Sequence, residues 1–364
     1  MDKKKLIYIL TAVMGVIVVI IGVVALLSSS GNKTLSFEAI ENQLKSATQT
    51  YFKKNSNSLP SEEGMSVTVD SSTLVNGGYM KQLSDMVKKG VDCSGKVIVT
   101  KNGSRYLYSP ILNCGDSYQT KKLVDVVRGN NPIVNSGNGL YLIGESSKFK
   151  GEYVNNYVKI DNFMWRIIDI DNDGFIRLIY ADKANDNTYI WDDRYNIDQE
   201  ENVGINNYEV SRLRETMMSL ENNDLFVSED SKANLAYRNI CIGKRSIDNL
   251  ALDNKEECEM TVSNQLFGLP YTSDYLSASI DDNCHTIKDA SCKNYNYLMS
   301  TSLSSWTLTG QKEKTYKAYS VSRSGYSLSD TYSEKAIRPT VYLSNNTIYK
   351  SGNGTSTDPY IIKK

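Results

Sequence analysis

FMWRIIDIDNDGFIRLIY, residues 163–180, decides how the larger part of this chain folds. Two apolar runs, Phe163–Ile170 and Phe175–Tyr180, flank the polar tetrapeptide Asp171-Asn172-Asp173-Gly174. Strand-forming residues on both sides of an Asp/Asn/Gly cluster predict an antiparallel hairpin. The same segment spells Asp169-x-Asp171-x-Asp173-Gly174, the first half of a calcium loop, so Asp169, Asp171 and Asp173 are its candidate metal ligands. The twelfth loop position is Tyr180, not a bidentate Glu, and the flanks read as strands, which favours a plain hairpin turn.

Downstream, Tyr208–Leu220 carries Val210, Leu213, Met217 and Leu220 at helical spacing and predicts an amphipathic helix. YLMSTSLSSWTLT, KAYSVSR and AIRPTVYL, within residues 297–343, predict short closing strands. Upstream, Gly129–Gly139 (GNNPIVNSGNG) has the Gly, Asn, Ser and Pro content of a linker. Before it, Phe37, Ile40, Leu44, Ala47 and Tyr51 share one face of a helix over Ser36–Lys54, with Ser36 as cap and Pro60 beyond its end. Met65–Val69 and Lys96–Thr100 alternate like strands, Asn102-Gly103 turns the second into Arg105–Ser109, and Thr73–Val87 predicts a short helix interrupted at Gly77-Gly78.

Leu6–Leu27 (LIYILTAVMGVIVVIIGVVALL) is uncharged and would span roughly 33 Å as a helix, about one hydrocarbon core. Lys3, Lys4 and Lys5 precede it, which holds the N-terminus in the cytoplasm and places the rest outside. The expectation is a single-pass cell-membrane protein with an extracellular C-terminus and membrane lipid as a partner of residues 6–27. A cleaved signal peptide is the competing reading, since Ser28 and Ser30 offer a small-x-small site.

Six cysteines in an exported chain suggest disulfides, and the simplest choice is sequential: Cys93–Cys114, Cys241–Cys258 and Cys284–Cys292. Buried free thiols are the alternative. No CxxC is present, and His285 is the only histidine, which excludes a multi-histidine metal site. Charges nearly cancel, 41 basic against 42 acidic, and there is no basic cluster after the first residues, so no nucleic-acid partner is implied. No cofactor is expected.

Two resemblances add to this reading. The N-terminal apolar and amphipathic helices, followed by LKSATQTYFKKNSNSLP (44–60) and TLVNGGYMKQL (73–83), resemble pilin-like exported proteins of low-GC Gram-positive bacteria. The chain departs from true prepilins at their processing site: Lys5-Leu6-Ile7-Tyr8 stands there, and the apolar run contains no Glu. Second, residues 151–179 (GEYVNNYVKIDNFMWRIIDIDNDGFIRLI), 319–344 (YSVSRSGYSLSDTYSEKAIRPTVYLS) and 351–362 (SGNGTSTDPYII) resemble an uncharacterised exported domain common in gut Firmicutes. Its pattern is similar to C-type-lectin-like and formylglycine-generating-enzyme-like folds, where loops above a small sheet form binding surfaces. Glu-Pro-Asn and Trp-Asn-Asp sugar-binding triplets are absent, so calcium-dependent lectin activity is not implied.

The expected fold is α+β: a cytoplasmic tail (1–5), a transmembrane helix (6–27), a pilin-like α+β domain (34–128), a linker (129–139), a loop-rich α+β domain that resembles C-type-lectin-like folds (140–344) and a C-terminal tail segment (345–364). Trp165, Arg166, Arg338 and Pro339 read as structural signature positions, with Trp165 in the core and each arginine paired to a carboxylate. Trp191, Asp192 and Asp193 in a polar loop are candidate binding residues, with Trp191 as an exposed anchor or partly buried. No catalytic residue is assigned. The expected function is surface binding or adhesion toward an extracellular protein or glycan, or a structural role. A pseudopilin-like subunit and a cell-wall hydrolase built on a carboxylate pair are the alternatives.

Overall fold

The computed structural model describes residues 34–181, 187–250, 252, 254–300 and 303–364. The expected membrane span, residues 6–27, lies outside the described residues. Among those described, no helix is long and apolar enough to cross a membrane. The fold is mixed α and β.

The N-terminal unit is built on helix α1 (Phe37–Lys54), where Ala39 donates its backbone N–H to Ser36 Oγ at 3.2 Å. The apolar stripe buries Ile40, Leu44, Ala47 and Phe52. Strand β1 (Ser66–Asp70) leads into α2 (Ser71–Asn76), which ends at Gly77 as its Gly-Gly sequence predicts. Strands β2 (Ser94–Asn102) and β3 (Arg105–Asn113) form the Asn-Gly hairpin, and β1 pairs with β2 to complete a three-stranded antiparallel sheet. Gly103 sits at φ 58°, the conformation that turn requires. Helix α3 (Leu123–Asn130) follows, and its Leu123, Val124 and Val127 pack into the core of the larger unit.

That unit begins with the hairpin β4 (Gly139–Ile143) and β5 (Ser146–Lys150), then β6 (Tyr157–Ile160), β7 (Phe163–Ile170) and β8 (Ile176–Tyr180). Strands β7 and β8 are the hairpin read from the sequence, with Gly174 at φ 87° in its turn and Phe175 donating to Asp171 Oδ1 at 2.8 Å. The short β9 (Tyr189–Ile190) precedes α4 (Arg212–Ser219). Helix α4 is shorter than expected: Tyr208–Val210 is a separate 3-10 turn, so Val210 points to solvent while Leu213, Met217 and Leu220 are buried.

Next come β10 (Leu235–Ala236), β11 (Arg238–Ile242), β12 (Lys244–Arg245), β13 (Met260–Gln265) and helix α5 (Thr272–Ala278). Strands β14 (Ser305–Gln311), β15 (Lys317–Ser322), β16 (Gly325–Asp330), β17 (Glu334–Lys335), β18 (Thr340–Leu343), β19 (Tyr349–Ser351) and β20 (Tyr360–Ile362) complete the chain. Tyr297–Ser300 is a 3-10 turn and not the strand its sequence suggests.

The central sheet has the order β10-β18-β8-β7-β6-β20-β19, with β5 also pairing with β7 and carrying β4. The Arg-Pro closing strand β18 therefore lies against the founding hairpin, and β20 pairs with β6 in parallel. A second sheet, β12-β14-β15-β16, faces α5. The three cysteine pairs are disulfide-bonded in the sequential pattern, with Cα–Cα distances of 4.2, 4.6 and 4.6 Å.

Helix α5 is tied to the hairpin by charge. Arg177 of β8 donates through Nε to Asp169 of β7 at 2.8 Å and through Nη1 to Asp274 of α5 at 2.9 Å. All three side chains are buried. Removing the cation leaves two carboxylates in a low-dielectric core, so Arg177→Met should destabilise the protein by about 3–5 kcal/mol in urea unfolding. A loss below about 1 kcal/mol would show that the triad is dispensable.

Candidate functional site

The signature residues lie where the two sheets and α5 meet. Trp165 is buried with its ring 5.4 Å from that of Tyr180, as expected of a core position. Pro339 is buried too, and its carbonyl accepts from Tyr180 N at 2.9 Å. The arginines correct the expectation of carboxylate partners. Arg166 lies between the rings of Tyr157 and Tyr297, 4.1 and 4.5 Å from their centroids, and donates to Asn156 Oδ1 at 2.8 Å. Arg338 donates to the carbonyls of Tyr180 and Leu298 at 3.0 and 2.8 Å. Aromatic faces and carbonyl dipoles take the place of carboxylates at both.

The calcium-like triplet is divided between different tasks. Asp169 belongs to the Arg177 triad, Asp171 pairs with Arg238 at 2.9 Å, and Asp173 is exposed in the turn. Among the described residues no group of three His, Cys, Asp or Glu side chains is arranged to hold a metal ion. Calcium titration calorimetry should give no micromolar binding. Micromolar affinity abolished by Asp171→Ala would overturn this.

The loop 191–193 corrects a second expectation. Trp191 is fully buried, donates Nε1 to Thr307 O at 3.3 Å and packs edge-on against Tyr208. Asp192 is also buried and accepts from Ile205 N at 2.9 Å and Arg212 N at 3.3 Å, so it organises the start of α4. Only Asp193 is at the surface, where it pairs with Arg212. The polar residues around Trp191 in sequence gave no sign of the long-range partners that cover it.

Sequence reading missed Glu257 and Asp274. Asp274 accepts from Tyr271 N at 2.8 Å, a helix-start contact signalled by an acidic residue in the first turn after Pro270. Glu257 stands beside Cys258 and is fully buried; it accepts from Ser273 Oγ and from Thr309 Oγ1 at 3.0 Å, and Arg245 Nη1 lies 3.8 Å away. Burial pushes its carboxyl up to about 7 against the pull of Ser273, Arg245 and Thr309, with Asp274 adding to the rise. The unfolded chain, near 4.5, holds fewer protons than the folded protein between 4.5 and 7, so this group's contribution to stability is complete below 4.5 and is lost as pH rises through 7. Unfolding free energies from pH 5 to 8 should fall by on the order of 3 kcal/mol more in the wild type than in Glu257→Gln. Parallel profiles would remove Glu257 from the explanation.

An open cleft lies between the two units. Glu38, Asn42, Lys45 and Gln49 recur at helical spacing along one polar face of α1. Opposite them stand the β6–β7 turn, residues 228–234 and the chain end at 361–364. A chamber of about 810 Å³ runs into a second of about 340 Å³, and Asp230 and Lys364 line both. The turn residue Asp161 has φ 57° and accepts from Ser228 N at 3.0 Å, from Ser231 Oγ at 2.8 Å and from Lys364. Burial would raise its pKa, but the donors Lys364, Ser228 and Ser231 outweigh burial and hold it at about 2. Lys45 donates to Lys364 O at 2.7 Å; burial lowers its pKa, opposed by Asp230. Lys159 has no ion-pair partner among the described residues, and Lys350 meets Glu38 only at 3.8 Å. Within the lining, Ser231 donates to Asp161, which also pairs with Lys364. What the lining offers is a run of separated charges and amides suited to a polar, extended ligand.

No family model, curated protein or solved structure matches the chain.

Proposed function

We propose that this chain is an exported protein anchored by residues 6–27 in the membrane of a Gram-positive bacterium, and that it acts there as a surface binding or adhesion module. The observation that carries the binding reading is the groove along α1, formed jointly by the N-terminal unit and the larger unit. Its lining is polar and open, which fits a glycan or an extended polypeptide better than a small apolar molecule. Three disulfides that use all six cysteines support export. A pseudopilin-like structural role is the second reading, favoured by the helix-then-sheet order of residues 37–113.

Two measurements test the proposal. Protease added to intact cells should degrade residues beyond Leu27; protection until lysis would reverse the topology. Purified protein should bind Gram-positive cell-wall sacculi or spots of a glycan array, and Asn42→Trp with Lys159→Glu, which fills the groove and inverts a charge, should weaken that binding at least about tenfold. Binding unchanged by the double variant, or no binding to either probe, would remove the groove from the proposal.

A further inference from the structure

The fold leaves several side chains of the groove along α1 unused. Asn42 and Gln49 on the helix, Asn162 in the β6–β7 turn and the Tyr108 hydroxyl on β3 line its two chambers, and none has a hydrogen-bond partner among the described residues. The acidic groups of the lining differ, since each stands beside a lysine. Asp161 is held by Lys364, Asp230 lies in the field of Lys45, and Glu38 meets Lys350 at 3.8 Å. The Lys364 main-chain oxygen accepts from Lys45 at 2.7 Å, and Lys363 is bound by buried Glu41. Lys159 is the lining lysine left over, with no carboxylate partner among the described residues. Its backbone is fixed in the central sheet, where it pairs with Met164 of β7 and Ile361 of β20.

These groups discriminate between the two kinds of extended ligand that fit the space. An added peptide strand needs a free row of backbone donors and acceptors. Strand β20, whose Ile361 and Ile362 line the larger chamber, is already paired with β6 and β19 and offers none. Side-chain amides, a phenol and an ammonium instead suit scattered hydroxyls, which each take one such partner. Tyr108 adds a half-buried ring, whose negative face attracts the polarised C–H bonds of a pyranose. Asn42 and Gln49 stand seven residues apart on α1, about 10 Å along its axis, which accommodates a disaccharide. Lys159 belongs to the larger chamber and Tyr108 to the smaller. The lining thus calls for a charged unit and an uncharged, stacked unit in succession.

We propose that the groove binds a linear acidic glycan in which one carboxylate recurs in each disaccharide. The carboxylate pairs with Lys159, Asn42 and Asn162 receive the flanking hydroxyls, and the neighbouring neutral sugar packs on Tyr108 beside Gln49. This rests on the groove reading given above and narrows its ligand class. A charge-assisted hydrogen bond of this kind gives about a tenfold preference over a neutral glycan, and the preference weakens as salt rises.

The full chain in detergent is titrated by calorimetry with three probes: a hyaluronan hexasaccharide, which carries one carboxylate per disaccharide, a neutral chitin hexasaccharide, and a poly-glutamate peptide. Hyaluronan should bind at least about tenfold tighter than chitin. Lys159→Gln should erase that difference, while Lys312→Gln, outside the lining, should keep it. Tyr108→Leu, which keeps apolar bulk without the ring, should weaken both glycans. Equal binding of the two glycans, or a preference that survives Lys159→Gln, would overturn the acidic assignment. Poly-glutamate binding as tightly as hyaluronan, or glycan binding unchanged in Tyr108→Leu, would overturn the sugar assignment. Failure of all three probes to bind would overturn the proposal outright. The groove reading stands or falls separately, on sacculus and array binding by the variant that combines Asn42→Trp with Lys159→Glu.

Discussion

The Arg177 guanidinium is the contact on which the arrangement of the larger unit depends. It stands on the second strand of the founding hairpin, reaches across to Asp169 on the first, and holds Asp274 at the start of α5. Helix α5 has seven residues, all buried. A helix of that length does not persist alone in water, so docking must hold it. Asp274 serves both needs, since it also accepts the Tyr271 N–H that begins the helix. The desolvation cost of three buried ions offsets much of their attraction, so the triad contributes little net stability. Its effect is selective: another register of α5 would bury unpaired charge.

Disulfides fix the backbone at three other places. Cys241–Cys258 joins β11 to the turn before β13, and Cys284–Cys292 closes the loop after α5. Cys93–Cys114 ties the open end of the β2–β3 hairpin. Constraining a loop of this size in the unfolded chain is worth about 3 kcal/mol. The Cys241–Cys258 bond also fixes the residue next to Glu257, so the covalent staple and the buried carboxyl position the same stretch of backbone.

The legible parts of the fold were those specified locally. Residues 163–180 announce a hairpin because two apolar runs enclose a tight-turn tetrapeptide, and residues 36–54 announce a helix by one apolar stripe and a serine cap. Sequential cysteine pairing was recoverable because each bond closes a short loop. Helix α5 was not legible, since a helix buried on every side has no amphipathic period. The full burial of Trp191 was not legible because its cover comes from Thr307 and Tyr208, distant in the chain. The partners of Arg166 and Arg338 are rings and carbonyls, which leave no complementary charge in the sequence to find. The groove was invisible because its walls come from distant stretches of chain: residues 38–49, residues 106–108 and residues beyond 158.

How the two units meet bears directly on what the groove can do. Apolar packing alone would let them slide; here directed polar contacts set the angle. Asn102 at the tip of the β2–β3 hairpin donates to the carbonyls of Lys232, Ala233 and Leu235. Ser109 donates to Asn346 O at 2.6 Å, and Asn346 returns a bond to Thr100 at 3.2 Å. At the other end, buried Glu41 of α1 binds Tyr118, Thr120 and Lys363. Each contact needs a particular donor facing a particular acceptor, so a small rotation would break several at once and strand buried polar groups. The α1 face and the opposite wall are thereby held at fixed spacing without a ligand between them. A partner entering such a groove does not have to order it first, and less of its contact energy is lost to that ordering. The residues of this junction therefore set the spacing of the groove's walls, and Ala233 and Lys363 among them line it as well.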